Sequence, residues 1–191
     1  MLKYFFLGVV TCLSMKTFSL KAQTNNNVNQ VIINNEGVVN SEELEFSPAF
    51  YNDGIIFVST KAPSLKKKIE DVRIHKNMMS LYSSMRSKAG SLETPVPLLE
   101  KVMSTYHEGP VTFNSTGDLL FFTRNDYNNK VRGKASDKET KLKIYVSSKN
   151  GEDWTDPIEL PFNNSEYKTC HPTMDPDGTV LYFSSDREGG Y

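Results

Sequence analysis

The chain has 191 residues, enough for one domain of ordinary size or about one and a half. A formal net charge of −1 leaves no surplus of Lys and Arg for phosphates, which argues against a nucleic-acid partner. Aromatic residues make up 11%, as in a β-rich globular protein rather than a disordered one, and two cysteines cannot make a disulfide framework or a thiol metal site.

Met1 to Gln23 reads as a secretory signal. Lys3 supplies a positive n-region, and Tyr4 to Met15 is an apolar stretch too short to span a bilayer. Cleavage after Ala22 places Leu20 at the −3 position. An uncleaved anchor is the alternative. A lipoprotein fits less well, because Thr11 precedes Cys12 where a small residue is wanted. Removal of residues 1–22 leaves Cys170 alone, so no internal disulfide is expected. Residues 23–44, rich in Asn with short apolar patches, are a linker or an edge strand.

From Glu45 onward the chain repeats. Ser47-Pro48 to Ser59, Gly109-Pro110 to Thr123 and His171-Pro172 to Arg187 share one plan: an extended entry, a turn ending in Gly, then an apolar strand. Pro48, Pro110 and Pro172 are spaced 62 residues apart. In Asp175-Pro176-Asp177-Gly178 the proline presets φ and the glycine supplies the positive φ that closes a turn. After each opening hairpin comes a basic excursion, Lys61 to Asn77 and Arg124 to Lys141. A third strand follows, Ser80 to Ser84 and Lys143 to Ser148, its tyrosines Tyr82 and Tyr145 lying 63 apart. A fourth follows in turn, Leu92 to Leu98 and Trp154 to Leu160.

Four short strands per repeat predict a propeller blade. A sandwich strand has one wet face and alternates, whereas Val180-Leu181-Tyr182-Phe183 does not, as suits a strand covered on both faces. The prolines are expected at the first residue of each opening strand, where a missing N–H is tolerated. The fold expected is therefore all-β: a partial β-propeller of two four-stranded blades plus the start of a third, a fragment of a longer propeller. The domains are residues 1–22 signal peptide, 23–44 linker or edge strand, 45–108 first blade, 109–170 second blade and 171–191 a truncated third. The pairs Ile56/Phe57, Leu120/Phe121 and Leu181/Tyr182 are expected in the strand core.

The repeats resemble the WD-like, TolB-type β-propeller, and more closely the propeller region of OmpA-family, peptidoglycan-associated outer-membrane proteins of Gram-negative bacteria. The residues that carry the resemblance are Glu45 to Tyr51, Phe121 to Asn125, Lys141 to Tyr145, Glu159 to Asn163, and His171-Pro172 through Asp186-Arg187. Together they run from about Glu45 to the end of the chain. The resemblance implies a non-catalytic, extracytoplasmic protein-interaction platform, in the periplasm or at the outer membrane, with envelope proteins as partners. Some relatives serve type IX secretion and gliding. Peptidoglycan binding would need the carboxy-terminal OmpA-like domain, which these residues do not include.

Candidate chemistry is sparse. His75, His107 and His171 occupy non-equivalent places, and none pairs with a second ligand on one strand face. Asp175-Pro176-Asp177-Gly178 lacks the other acidic positions of a calcium loop and reads as a turn. Lys149-Asn150-Gly151 is a hairpin signal, and Trp154 a packing aromatic. No Gly-x-Ser-x-Gly elbow occurs. No catalytic, metal or cofactor residue is assigned, and the chain is read as a non-enzyme. The basic excursions stand out: Lys61 to Lys76 holds six Lys or Arg, and Arg124 to Lys143 holds seven. Lys66, Lys67, Lys68, Arg73, Lys130, Arg132 and Lys134 are the candidate rim for an acidic partner or an anionic glycolipid, with Lys66 to Lys68 and Lys130 to Lys134 expected to be exposed; two solvated loops are the plainer reading. The alternative function is the amino-terminal propeller of a secreted peptidase or glycan-active enzyme whose catalytic domain lies beyond Tyr191.

Overall fold

The computed structural model describes residues 33–62, 69–98, 102–128 and 131–189, with the backbone alone at 127, 128 and 132. The expected signal segment, Lys66 to Lys68 and Lys130 lie outside the described residues. The chain divides into two compact units, Met1–Asn34 and Asn35–Tyr191, and every described strand belongs to the second. Residues 35–44 hold a turn, closed by the Val39 and Asn40 amides donating to the Glu36 carbonyl at 2.9 Å.

All regular structure among the described residues is β. The first repeat comprises β1 (Glu45–Tyr51), β2 (Gly54–Ser59), β3 (Glu70–Asp71), β4 (Lys76–Asn77), β5 (Ser80–Met85) and β6 (Val96–Pro97). Four of these form an antiparallel sheet in the order β1-β2-β5-β6, while β3 and β4 pair as a separate hairpin inside the basic excursion. The second repeat has β7 (Glu108–Phe113), β8 (Leu119–Asn125), β9 (Tyr127–Asn128), β10 (Val131–Arg132), β11 (Leu142–Asn150), β12 (Asp153–Trp154) and β13 (Ile158–Glu159). Its sheet runs β7-β8-β11, with β12 and β13 both on the outer side of β11, and β9–β10 is again a hairpin in the excursion. The third repeat shows β14 (Thr169–Met174) and β15 (Leu181–Ser185) as a two-stranded sheet. None of the sheets closes on itself.

The turns follow their residues. Asn52-Asp53 makes a two-residue hairpin with Asn52 at φ 48°, a left-handed value that asparagine tolerates better than most. Asn114 Oδ1 accepts the Asp118 and Leu119 amides, and Asp175 Oδ1 accepts those of Thr179 and Val180. One short polar side chain thus closes both later turns.

Successive sheets pack face to face: β7 lies against β1 and β2, and β14 against β7, β8 and β11. Ile56, Val58 and Leu81 of the first sheet meet Val111, Leu120, Phe122 and Tyr145 of the second, all buried. Gly109 is required there, since a Cβ would lie 2.3 Å from Val58 Cγ2. Trp154 is buried in the same core, its ring 6.2 Å from both Tyr51 and Phe113.

Pairing repeats across the sheets. Phe57 stands opposite Tyr82 and Phe122 opposite Tyr145, each ring pair 6.1 Å apart and inclined at 29° and 28°. Side-chain direction corrects the expected core. Ile56, Phe57 and Leu120 are buried, but Phe121 is half-buried, and Phe122 is the fully buried neighbour. Leu181 is half-buried and Tyr182 is 62% exposed. Successive strand side chains point to opposite faces. β15 alternates half-buried with exposed along its whole length, whereas β2 is buried at five of its six positions and β8 at four of its seven. The prolines also differ from expectation: each sits inside its strand, at a bulge.

Candidate functional site

The bulges define the most regular feature of the molecule. In each opening strand the register shifts by one residue, between Phe46 and Ala49, Glu108 and Val111, and Cys170 and Thr173. The residue before each proline has positive φ: 51° at Ser47, 91° at Gly109 and 55° at His171. A residue before proline ordinarily takes an extended conformation, and positive φ is uncommon outside glycine. Three recurrences at the same step make the bulge a specified device that bends and re-aims the strand, and bulges absorb a proline that would break a regular ladder.

All three bulges face one open cleft of about 400 Å³. Its wall carries Phe46, Ser47 and Pro48 from β1, Pro110 and Val111 from β7, and His171, Pro172 and Thr173 from β14. The His171 amide is not offered to the cleft, because it donates to Thr123 Oγ1 at 2.9 Å, and the Met174 amide donates to Thr112 Oγ1 at 3.1 Å. What remains is an open groove with proline rings, a partly exposed phenyl and an imidazole, with Ser47 and Thr173 between them.

Of the candidate basic rim, Arg73 is 77% exposed and pairs with Asp71. Arg73 Nε donates to Asp71 Oδ1 at 2.9 Å and Nη2 to Oδ2 at 2.7 Å, a bidentate pair. Lys134 is exposed, Arg132 has its backbone in β10, and Lys66, Lys67, Lys68 and Lys130 lie outside the described residues. Four other cations of the excursions, Lys76, Arg124, Lys141 and Lys143, have carboxylate partners. Lys76 meets Glu43 at 3.1 Å, Arg124 meets Glu108 at 3.3 Å, and Lys141 pairs with Asp137 and Glu139. Lys143 sits between Glu159 at 2.8 Å and Asp126 at 3.1 Å. The two excursions do approach one another: Asp71 and Arg73 share a cleft of about 220 Å³ with His107, Asn125 and Thr140.

At that cleft His107 Nε2 lies 2.9 Å from Asp71 Oδ2, while Nδ1 accepts the Met79 amide at 3.1 Å. An amide can only donate, so Nδ1 is unprotonated and Nε2–H donates to the carboxylate. The Arg73 side chain and backbone N–H, with help from His107, hold the Asp71 carboxyl well below the usual carboxylate range. The arrangement has the outline of a catalytic dyad, but the nitrogen a general base needs is already taken by a backbone amide. Burial pushes the Cys170 thiol up, making it a poor nucleophile. Among the described residues no three His, Cys, Asp or Glu converge as metal ligands.

Sequence reasoning missed the Asp71–His107 pair, and no local motif could have found it across 36 residues. The bulges left a signal, since an X-Pro step at constant spacing marks them, but the sign of φ at Ser47 and His171 is invisible in the residue types. The fold and cleft define an all-β protein of repeated antiparallel sheets. No protein-family model matches the chain, and no curated protein or solved structure matches it either.

Proposed function

We propose that residues 45–191 belong to a β-propeller of the TolB-like type that serves as a non-catalytic protein-interaction module of the Gram-negative cell envelope, outside the cytoplasm. The observation that carries this reading is the convergence of three equivalent bulged strands, Phe46 to Ala49, Glu108 to Val111 and Cys170 to Thr173, on one cleft. Equivalent inner strands around a shared opening are what a propeller places about its axis. The secretory pattern of Met1 to Gln23 and the resemblance to OmpA-family propellers support the envelope. The proline rings and the Phe46 phenyl on the walls suit the side chains of a protein partner.

Site-specific photocrosslinking in intact cells tests it. A photoreactive side chain at Ser47 or Thr173, on the cleft, should give discrete protein adducts in the envelope fraction, and one at the exposed turn residue Glu152 should not. Equal labelling from all three positions, or full-length protein with Met1 retained in the cytosol, would sink the proposal.

A further inference from the structure

Each opening strand is the outermost strand of its sheet, and its bulge interrupts the ladder. Ahead of the bulge that ladder is short. Glu45 and Phe46 pair with the second strand in β1, Glu108 does so in β7, and Thr169 and Cys170 in β14. The proline inside each bulge has no N–H to add. A strand end held by so few bonds opens readily unless something outside its sheet restrains it.

The two excursions provide that restraint, and each reaches both ways along the chain. The first reaches back to the segment entering β1, where Lys76 Nζ donates to the Glu42 carbonyl at 3.0 Å and meets Glu43 at 3.1 Å. It reaches forward to the residue before β7, where His107 Nε2–H donates to Asp71 Oδ2 at 2.9 Å. The second excursion repeats the plan. Arg124, at its start, meets Glu108 at 3.3 Å and donates to the Val102 carbonyl in the segment entering β7. Further along, the Ser136 amide donates to both Glu166 carboxylate oxygens at 3.1 Å, and Ser136 Oγ donates to Oε2 at 2.6 Å. Ser165 Oγ adds a bond to Asp126 Oδ2 at 3.1 Å. Ser165 and Glu166 lie on the segment entering β14. The carboxylate of the forward contact is on the excursion in the first case and on the receiving segment in the second. The point of attachment recurs while its chemistry reverses, so what repeats is the tether and not a copied residue pair.

We infer that the excursions are straps: each fastens the entry to its own repeat's opening strand and the entry to the next, and together they fix the bulged strands that wall the cleft. Lys76 and Arg124 make the backward attachments, where a charged donor gives the stronger kind of hydrogen bond. The forward attachments cross from one sheet to the next. Because Pro48, Pro110 and Pro172 all stand on the cleft wall, the straps hold that wall in shape. This is a property of the folded chain, and it stands whether or not a protein partner enters the cleft.

Amide hydrogen exchange on the full chain, resolved strand by strand, tests the inference. Lys76→Ala, Asp71→Ala and Glu166→Ala each cut one attachment. Lys76 is one-third exposed, Glu166 is exposed, and Arg73, the other partner of Asp71, is 77% exposed, so each loss can be solvated. Exchange is read relative to β8 and β11 of the same variant, which cancels a general loss of stability. One opening strand should respond in each case, exchanging about tenfold faster: β1 for Lys76→Ala, β7 for Asp71→Ala and β14 for Glu166→Ala. Ser136→Ala, a milder change at an exposed site, should move β14 in the same direction by a smaller factor. Ratios that stay unchanged, or that rise equally in all three opening strands, overturn the inference.

Discussion

His107 ties two repeats together through one ring: Nε2 donates to Asp71 in β3, and Nδ1 accepts from Met79 at the entrance to β5. His107 itself leads into β7, so the imidazole fastens the first excursion to the start of the second sheet. His107→Ala leaves a backbone donor and a carboxylate oxygen without their partner. The expected loss is about 2 kcal/mol, within the range for hydrogen bonds to a charged group. A urea midpoint unchanged from the parent would show that water replaces the ring without cost.

The same cluster carries a pH dependence. The Asp71 carboxyl is lowered in the folded chain from an ordinary value of 3.8, first by the Arg73 side chain, then by its amide and by His107. Its stabilising contribution is therefore complete above about pH 4 and drains away as pH falls below it. Asp71→Asn should be less stable than the parent at neutral pH, and the gap should narrow steadily below pH 4. A gap constant from pH 7 to pH 2 would contradict the ion-pair account.

Gly109 should not accept even one carbon. A Cβ there meets Val58 Cγ2 at 2.3 Å and Leu81 Cδ2 at 3.1 Å, on a backbone at φ 91°. Gly109→Ala is expected to cost about 2–4 kcal/mol, from overpacking plus the left-handed backbone. Gly151 has a similar positive φ but nothing within 4 Å, so Gly151→Ala should cost only about 1 kcal/mol. Equal denaturation midpoints for the two variants would remove the case for close packing at Gly109.

Adjacent phenylalanines separate the two faces of β8. Phe122→Ala empties a fully buried site and should cost about 3–5 kcal/mol, whereas Phe121→Ala, at a half-buried site, should cost about half as much. Chemical denaturation of the two variants decides it, and a reversed order would mean that β8 faces the other way.

Lys143, like Arg124, is a buried cation of the second sheet. Burial would lower its pKa, but hydrogen bonds to Glu159 and Asp126 outweigh that and raise it. Lys143→Met takes the cation from both carboxylates and should cost about 3 kcal/mol, the lower end for a broken buried pair, because Glu159 keeps part of its solvent and Asp126 its hydrogen bond from Ser165. Adding Asp126→Asn to that variant should recover part of the loss. Strict additivity of the two changes would argue against direct coupling.

Much of the β architecture was legible from residue order, because its causes are local. Glycine, asparagine and aspartate close turns by their own backbone chemistry, so Asn52, Asn114 and Asp175 mark the hairpins, and the prolines at 62-residue spacing mark the repeats. Apolar runs such as Leu119 to Phe122 reveal strands, but a run without alternation does not say which side chain faces which neighbour. Only the packing of one sheet on the next separated Phe121 from Phe122 and left Tyr182 in solvent. The bulged strands decided the same way, since a proline inside a strand and one at its start have the same local sequence. Charge partners are the least local of these features. Counting Lys and Arg along the excursions shows cations, while the carboxylates that pair with Lys76, Arg124 and Lys143 come from other strands or loops, 16 to 33 residues away. Turn and strand tendencies belong to neighbouring residues and can be read in order; faces, ion pairs and the His107 bridge exist only once distant strands share a surface.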